Sequence, residues 1–336
     1  MTTPAKRILL TGGAGFIGSH LARRLLEKHP DWHLINLDLL TYAGNPDNLS
    51  DIADYPNYHF IEGDIRDEKL IARLMADTDI VINSAAQTHV DRSITGPTVF
   101  VSTNTLGTQV LLEAARNANI EKFVQISTDE VYCSIGDHQN RGERFNEQSL
   151  IQPSSPYSAS KASADLLALS YHHTYGLPVC ITRCSNNYGP HQYPEKLIPL
   201  FILNALADKP VPVYGDGLNV RDWIHVDDHA EAVLRVVEDG VSGNAYNIGS
   251  DNEHTNLEIT RQILKILGKP ESLISFVEDR LGHDRRYAID SSKLKSELQW
   301  RATRDFQNGL EETVAFYKNN PAWVDNIHRR QSAMAL

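Results

Sequence analysis

The 336-residue sequence contains few cysteines, no long apolar run and no excess of positive charge. Its three cysteines, Cys133, Cys180 and Cys184, are an odd number without metal-ligand spacing, and no secretory signal is recognisable. The first apolar run, residues 8–10, is far too short to cross a membrane. We therefore expect a protein of the reducing cytoplasm, with no membrane partner and no metal.

The acidic balance argues against a nucleic-acid partner. The net charge is −11 and the isoelectric point is about 5.7, whereas nucleic-acid binding needs a basic footprint. An anionic substrate would then need local cations, for which Lys196, Arg221, Arg280 and His283 are candidates. Apolar residues at 41% and charged residues at 22% are usual for a globular protein.

The first half of the chain alternates β-branched runs with amphipathic segments. This alternation predicts parallel strands joined by right-handed helical crossovers, an α/β fold with a Rossmann-type doubly wound sheet. The predicted strands are 7–11, 34–38, 58–62, 80–83, 123–127 and 179–183, and the predicted helices are 16–28, 99–118 and 156–175.

The second half has a different rhythm, because prolines and glycines interrupt it after Asn187. We expect a return to the sheet over 223–248, with a helix at 226–237, and further helices near 257–267, 291–298 and 306–319. The prediction is one dinucleotide-binding domain of residues 1–187 and 222–250. A smaller, mixed α/β C-terminal lobe of residues 188–221 and 251–336 would cover the substrate.

A glycine-rich loop stands between the first strand and the first helix. Gly12, Gly15 and Gly18 have the spacing that permits a tight turn, close approach of the backbone to a pyrophosphate and close helix packing. Asp38 ends the next strand, where a carboxylate binds ribose hydroxyls and favours NAD over NADP. A glycine turn in an unrelated protein is the alternative. Asp64 and Ile65 could hold the adenine or belong to a helix cap that runs to Asp67.

Tyr157 and Lys161 are four residues apart and share one face of a predicted helix. An ammonium group beside a phenol lowers its pKa, so that the phenolate could act as a base on a sugar hydroxyl. A surface pair on a helix is the simpler explanation for an isolated match. The dinucleotide loop and Thr128 at a strand end favour the catalytic one.

Asp129 and Glu130 directly follow Thr128. A proton donor next to a proton acceptor is more than a simple dehydrogenase needs, and it indicates an internal redox reaction that eliminates water. The alternative is a solvated loop with two acids. If the pair is catalytic, the two carboxyl groups need different protonation states, so the site must separate their pKa values.

These residues resemble the extended short-chain dehydrogenase/reductases, and longer strings resemble the dTDP-glucose 4,6-dehydratases within them. The resemblance covers roughly residues 6–317. Its most specific strings are residues 85–94, 127–132, 155–161, 183–190, 194–199, 214–223 and 282–287.

The resemblance implies a mechanism. Tyr157 would take the C4 hydroxyl proton while hydride passes from C4 to NAD, with Thr128 bonded to the C4 oxygen. Glu130 would remove the C5 proton, and protonated Asp129 would donate to the departing C6 hydroxyl. Hydride would then return to C6 and leave a 4-keto-6-deoxy sugar.

The resemblance also implies two contact sets. For the cofactor NAD they are Gly12, Gly15, Phe16, Ile17, Gly18, Asp38, Thr41, Asp64, Ile65, Ala85, Ala86, Thr103, Tyr157, Lys161 and Asn187. For the nucleotide sugar they are Thr88, His89, Thr128, Asn186, Lys196, Leu197, Val213, Tyr214, Arg221, Asn256, Arg280, His283 and Tyr287. Without the family, Arg221 could simply pair with Asp222 or Asp227, and His283 could bind a neighbouring carbonyl.

Three positions depart from the family pattern and leave the substrate open. Gln87 and Thr88 replace a usual Glu-Ser pair, and Cys133 replaces a glycine. The alternatives are a 4,6-dehydratase for a UDP-hexose or UDP-N-acetylhexosamine, and a nucleotide-sugar 4-epimerase, which would not require Asp129 and Glu130. A catalytically silent NAD-binding module is more remote.

The resemblance implies a homodimer through a four-helix core. Helices 99–118 and 156–175 of each copy would form it. Apolar residues that could supply this surface are Val110, Leu111, Leu166, Leu167 and Leu169, for which burial against the sheet is the alternative.

Overall fold

The structure, a computed structural model, describes residues 5–132, 134, 143–279 and 283–334. The strands are β1 Arg7–Thr11, β2 His33–Asp38, β3 Tyr58–Glu62, β4 Ile80–Asn83, β5 Lys122–Thr128, β6 Val179–Cys184, β7 Asn186–Tyr188, β8 Val211–Tyr214, β9 Val220–His225, β10 Asn244–Ile248, β11 Glu253–Thr255 and β12 Ile274–Val277. The helices are α1 Phe16–Lys28, α2 Glu68–Met75, α3 Val90–Thr95, α4 Thr98–Phe100, α5 Thr108–Ala118, α6 Pro156–Tyr175, α7 Leu197–Leu206, α8 Val226–Asp239, α9 Asn256–Leu267, α10 Ser292–Glu297, α11 Phe306–Asn319 and α12 Pro321–Met334.

A seven-stranded parallel sheet with the order β10-β6-β5-β4-β1-β2-β3 forms the centre of the molecule. Side chains on its two faces are buried, as expected for a parallel sheet covered by helices. Ile8 and Leu10 pack with α1 and α8 on one face. Leu9 packs with α2, α5 and α6 on the other. The Rossmann-type α/β fold predicted from the sequence is confirmed.

The strand order reverses beside β1, which lies between β4 and β2. Buried side chains hold this point together: the Thr11 hydroxyl donates to the Asn83 side-chain oxygen at 2.6 Å, and the Asn83 amide donates to Gln125 at 2.9 Å. Ligands of doubly wound sheets bind in the crevice that opens at such a reversal. The carboxyl ends of β1, β2, β4 and β5 face this crevice.

The smaller lobe has its own apolar cluster, which includes Ile198, Phe201, Trp223, Ile259 and Leu310. Two small sheets accompany it, with the orders β11-β9-β7 and β12-β8. The expectation that the chain rejoins the large sheet from residue 223 was wrong for β9, because this strand pairs with β7 and β11. Of that segment, β10 joins the large sheet. The domain boundaries stay a prediction.

The predicted helix 99–118 is interrupted. Its first part widens into π-helical turns over Val101–Gly107 before α5 begins. Gly107 allows close packing there, because a Cβ atom on it would lie 2.4 Å from the Ile65 side chain. None of the helices in the described ranges is long and apolar enough to span a membrane.

The apolar residues proposed for a dimer surface divide into two groups. Val110 and Leu111 are buried in the core beside the sheet, so they cannot supply such a surface. Leu167 and Leu169 are partly buried against the same core. Leu166 is 55% exposed, and Leu106 and Val101 on the preceding helical segment are also exposed.

Candidate active site

The glycine loop after β1 leaves the start of α1 open. Gly12 has a φ of 70°, and a Cβ on it would lie 2.7 Å from the Ala85 backbone. A Cβ on Gly18 would lie 2.2 Å from the Gly12 carbonyl oxygen, so this glycine permits close packing of α1. Gly15 precedes α1 and makes no side-chain cap. Backbone N–H groups at this helix end are therefore suited to bind a phosphate.

Asp38 lies at the end of β2 beside this loop. Its carboxylate accepts hydrogen bonds from the Ala14 N–H at 2.9 Å and the Leu40 N–H at 2.8 Å. Burial raises the pKa of Asp38, while these two bonds and the charge of Arg330 oppose the rise. Asp38 thus links the glycine loop to the segment that follows β2.

Asp64 and Asp67 have separate roles after β3. Asp64 accepts from the Arg66 backbone at 2.8 Å and from its guanidinium; burial raises the pKa of Asp64, but the bonds from Arg66 give a lowered value overall. Asp67 caps α2 by accepting from the N–H groups of Lys69 and Leu70. The helix cap that the sequence analysis gave as an alternative is therefore formed by Asp67. Asp64 is not part of that cap and lies beside the crevice.

One cavity of about 360 Å³ joins the dinucleotide loop to the catalytic candidates. Every residue predicted to bind the cofactor lines it, and so do Thr128, Asp129, Glu130, Tyr157 and Lys161. Lining residues that the sequence analysis did not assign include Leu39, Gln87, Cys184, Gln192 and Tyr193. Gln87 and Cys184 lie within the stretches of sequence that resemble the family, residues 85–94 and 183–190. Leu39 and Gln192 lie outside all such stretches, and no sequence pattern marked them as site residues.

Tyr157 and Lys161 lie on the buried face of α6. This helix begins with Pro156 after a reciprocal cap between Ser155 and Ser158. The Lys161 ammonium donates to the Ile126 carbonyl at 2.6 Å. Burial lowers the pKa of Lys161, and the nearby Asp165 opposes that change.

The prediction that the pKa of Tyr157 is lowered was wrong for the protein without a bound ligand. Burial raises the pKa of Tyr157 well above its usual value, and the negative charge of Glu130 raises it further. A hydrogen bond with Thr128 acts in the opposite direction. Desolvation and the neighbouring acid therefore outweigh the hydrogen bond with Thr128.

Asp129 is suited to donate a proton. Its side chain is buried, and its Oδ1 atom accepts a bond from the Thr128 hydroxyl at 3.3 Å. Burial raises the pKa of Asp129 well above its usual value, and the adjacent Glu130 raises it further. Thr128 also caps the 3₁₀ turn Asp129–Val131 by accepting from the Glu130 N–H at 3.2 Å. The protonated form of Asp129 is therefore favoured beside a half-buried Glu130.

A buried chain of polar groups connects the elements that carry these residues. Arg183 on β6 donates to Asp165 on α6 at 2.9 Å and to the Tyr132 hydroxyl at 2.9 Å. Tyr132 in turn donates to the Asn247 side chain at 2.9 Å. The segment with Asp129 and Glu130 is thereby fixed to the helix with Tyr157 and Lys161.

A second polar cluster adjoins the acids from the smaller lobe. Arg221 donates to the Asp284 carbonyl at 2.8 Å and lies 4.7 Å above the Tyr287 ring. Its charge lowers the pKa of Asp129, against the effects of burial and Glu130. Burial and the charge of Glu130 raise the pKa of Tyr287. Arg221 and Tyr287 are therefore close enough to the acids for their charges to interact.

The other predicted substrate residues have varied positions. Thr88, Asn186 and Lys196 line the cavity, and Lys196 donates to the Thr88 carbonyl at 3.1 Å. His89 caps α3, and Leu197 begins α7. Val213 is almost completely buried in the core of the smaller lobe, so its side chain is not available to a ligand.

Three more of them lie in the smaller lobe. Asn256 is buried at the start of α9, and its side-chain oxygen has no hydrogen-bond partner in the described part of the chain. Tyr214 is exposed, with its ring 6.1 Å from that of His283. His283 bonds the Asp279 carboxylate at 2.5 Å, rather than the carbonyl considered as an alternative. Arg280 and Cys133 lie outside the described residues.

The comparisons with known proteins agree with this geometry. A family model described as GDP-mannose 4,6 dehydratase matches residues 9–313. The chain belongs to this family. It is 53% identical over 310 residues to the low-salt glycan biosynthesis protein Agl12 of Haloferax volcanii, covering 92% of this chain and 98% of that protein. It is 50% identical over 333 residues to a dTDP-glucose 4,6-dehydratase of Streptomyces antibioticus, covering 98% and 97%.

Solved structures extend the likeness to the fold. The crystal structure of DesIV, a dTDP-glucose 4,6-dehydratase from Streptomyces venezuelae with NAD and TYD bound, matches with a TM-score of 0.92 and 48% identity over 96% of this chain and 99% of that one. A UDP-glucose 4-epimerase from Thermotoga maritima matches with a TM-score of 0.86 and 30% identity over 94% and 99%. The dehydratase is thus the more similar of the two.

Proposed function

We propose that the chain is a hydro-lyase that converts dTDP-glucose to dTDP-4-keto-6-deoxyglucose and water, with NAD as its cofactor. The observation that carries this proposal is the cavity that Asp129, Glu130 and Tyr157 share with the glycine loop. An epimerase needs the base and the cofactor, but it has no use for a buried acid whose pKa is raised. The identity to dTDP-glucose 4,6-dehydratases supports the same reaction.

The residues around the glycine loop fit NAD. The uncapped start of α1 offers N–H groups to the pyrophosphate, and Asp38 at the end of β2 offers a carboxylate to the adenosine ribose. When bound, NAD would supply an oxidised nicotinamide ring able to accept and return a hydride, and its positive charge would favour the Tyr157 phenolate. Asp64, Ile65 and Thr103 complete the cofactor wall of the cavity.

Tyr157 and Thr128 act at C4 of the sugar. Tyr157 as phenolate takes the hydroxyl proton, and Thr128, which already bonds the phenol, holds the oxygen as its charge changes. Lys161 also lines this end of the cavity. Oxidation at C4 gives a ketone, which makes the proton on C5 acidic.

Glu130 and Asp129 act at C5 and C6. Glu130 removes the C5 proton, and Asp129 donates its proton to the C6 hydroxyl, so that the C–O bond breaks and water leaves. Reduction at C6 follows, with Glu130 returning a proton to C5. Tyr157 ends the cycle as a phenol and Asp129 as a carboxylate, so Tyr157 must release a proton and Asp129, whose pKa is raised by burial, must take one up before the next turnover.

Arg221, Lys196 and the second cluster hold the nucleoside diphosphate. Guanidinium and ammonium groups are suited to phosphate oxygens, and Arg221 lies near the acids. Asn219 and Asn256 each have a buried side-chain oxygen that lacks a partner in the described part of the chain. An N–H group of a base would satisfy such an oxygen.

Gln87 and Thr88 line the cavity, and their departure from the family pattern keeps a UDP-hexose or UDP-N-acetylhexosamine as the closest alternative substrate. We also propose a homodimer through α6 and the helical segment 98–118. A cytoplasmic location stays a prediction.

One assay separates the candidate reactions. The protein, without added cofactor, is incubated with dTDP-glucose, UDP-glucose and UDP-N-acetylglucosamine in turn, and the product mass and 4-keto sugar are measured. We expect a mass loss of one water with dTDP-glucose. If water is lost only with a UDP-sugar, that sugar and not dTDP-glucose is the substrate. An unchanged product mass with a new sugar configuration would indicate an epimerase. Bound NAD without turnover would indicate a silent module.

A further inference from the structure

The C-terminal helix α12 lies beyond residues 9–313, which the family model matches. It is nevertheless part of the folded core. Trp323, Val324 and Ile327 are buried in the apolar cluster of the smaller lobe, and Pro321 begins the helix, where proline is favoured.

The segment that follows β2, residues 39–49, packs on the same cluster. Tyr42 and Ala43 contact it, and the Tyr42 ring meets that of Tyr193 edge-on at 5.3 Å. Thr41, Ala43 and Gly44 from this segment also line the cofactor cavity. One wall of the cavity therefore rests on the core that α12 completes.

Two hydrogen bonds connect α12 to the glycine loop through Asn48. The Trp323 indole N–H donates to the Asn48 side-chain oxygen at 2.9 Å, and the Asn48 amide donates to the Ala14 carbonyl at 3.0 Å. Asn48 is buried, and both ends of its amide are used. The indole can only donate and the carbonyl can only accept, so the amide has one workable orientation.

Further contacts follow the same path. The Asn326 amide donates to the Asp47 carboxylate at 3.0 Å. The Ala14 N–H donates to Asp38, the residue proposed to bind the adenosine ribose. Arg330, seven residues after Trp323 and hence on the same helix face, carries a charge that lowers the pKa of Asp38, against the larger effect of burial.

We propose that α12 is a clasp for the adenosine end of the cofactor site, with Trp323 and Asn48 as positioning residues that hold the glycine loop through Ala14. This proposal rests on NAD binding as proposed above. The clasp keeps the loop in the shape that receives the pyrophosphate and so raises the affinity for NAD. It takes no part in the chemistry at the sugar.

The test compares Trp323→Phe, Asn48→Ala and the double variant with wild type. Trp32→Phe is the matched control, because Trp32 is also buried but its indole N–H has no partner in the described part of the chain. Calorimetry on cofactor-stripped protein gives the NAD dissociation constant. We expect each single change to raise it roughly three- to tenfold, the effect of one lost hydrogen bond. The dissociation constant of the double variant should be no higher than that of the single variant with the larger loss, because the two hydrogen bonds through Asn48 act as a unit.

The loss should appear in NAD affinity rather than in the turnover of NAD-saturated enzyme, which separates positioning of the loop from general damage. Wild-type affinity in both single variants would overturn the clasp, as would an equal loss in Trp32→Phe. If Trp323→Phe fails to fold, Asn48→Ala, which keeps the indole, decides alone. Absence of NAD binding by wild type would instead overturn the proposed function and the clasp with it.

Discussion

Asp129 and Glu130 are adjacent in the chain, yet their side chains have different surroundings. Asp129 is buried beneath Thr128, and Glu130 is half-buried beside it. Burial and the neighbouring charge both favour the protonated form of Asp129. The division into donor and acceptor stays a prediction, and these different surroundings within one tight turn support it.

Asp129→Asn should make the protein more stable and less active. The raised pKa means that the folded state holds the proton more tightly than the unfolded chain does. Stability is therefore lost as pH rises from the ordinary carboxyl range through the raised pKa. An amide has no proton to lose, so the margin by which the variant melts above wild type should widen as pH rises from about 4 to about 8, while kcat falls about 100-fold.

Thermal melts at both pH values and a turnover assay check this prediction. Equal melting temperatures at pH 8 would mean that Asp129 is not held protonated. A wild-type kcat would remove it from the mechanism.

Glu130→Gln should stop the reaction after the first oxidation. Tyr157 and Thr128 remain, so C4 can still be oxidised, but no base is left to remove the C5 proton. Reduced-nicotinamide absorbance should then accumulate on the protein when dTDP-glucose is added. Rapid-mixing spectroscopy measures it, with exposed Glu62→Gln as a control. Turnover of Glu130→Gln at the wild-type rate would refute the role given to this residue.

At the scale of elements, the buried chain Tyr132–Arg183–Asp165 holds the turn after β5 against α6. Arg183 and Asp165 are both almost completely buried. Burial lowers the pKa of Arg183, but Asp165 and Tyr132 oppose it and give a raised value overall. Loss of one partner would leave the other without compensation.

Asp165→Asn should destabilise the protein by about 3–5 kcal/mol, because a buried arginine loses its counter-charge. The double variant Asp165→Leu with Arg183→Met should lose less than Asp165→Asn, since neither charge remains buried. Urea unfolding measures both free energies. A double variant less stable than Asp165→Asn would show that the ion pair itself contributes the stability.

The sequence predicted regular elements better than contacts between distant segments. β1, α1 and α6 have their predicted bounds. An apolar run marks β1, the glycine loop directly precedes α1, and Pro156 with a reciprocal cap begins α6. The pairing of β9 with β7 and β11 was missed, since strands of three residues leave no pattern. α12 was also missed, although Pro321 and the spacing of Trp323 and Ile327 were available signals.

In the candidate site, too, local features could be predicted from the sequence and the effects of distant residues could not. The glycine loop and the Tyr157/Lys161 pair were predictable, because their chemistry lies in local spacing. The direction of the Tyr157 pKa was not, because it depends on burial and on Glu130, which is distant in sequence. Gln192 and Leu39 line the cavity through folding alone.

At the scale of the whole molecule, exposed apolar residues lie on two neighbouring helical segments. Leu106 is 51% exposed and Leu166 is 55% exposed. Val101 and Leu106 line a shallow, largely apolar depression with Leu167. Surfaces of this kind on soluble proteins commonly mark an interface, which agrees with the proposed dimer.

Leu106→Glu combined with Leu166→Glu should turn the dimer into a monomer, because charges would be buried at an apolar contact. Leu150→Glu is the control, since Leu150 is 81% exposed elsewhere in the chain. Sedimentation velocity gives the mass of each variant. A monomeric wild type, or a dimer that survives both changes, would contradict the proposed interface.

The central claim is that one sugar molecule is both oxidised and reduced within this cavity. A mixture of dTDP-glucose labelled with deuterium at C4 and dTDP-glucose labelled with carbon-13 measures it directly by mass spectrometry of the product. We predict that deuterium appears at C6 of the same molecules that lost it from C4, with no doubly labelled product. Deuterium found in solvent, retained at C4 or transferred to the carbon-13 sugar would contradict the account.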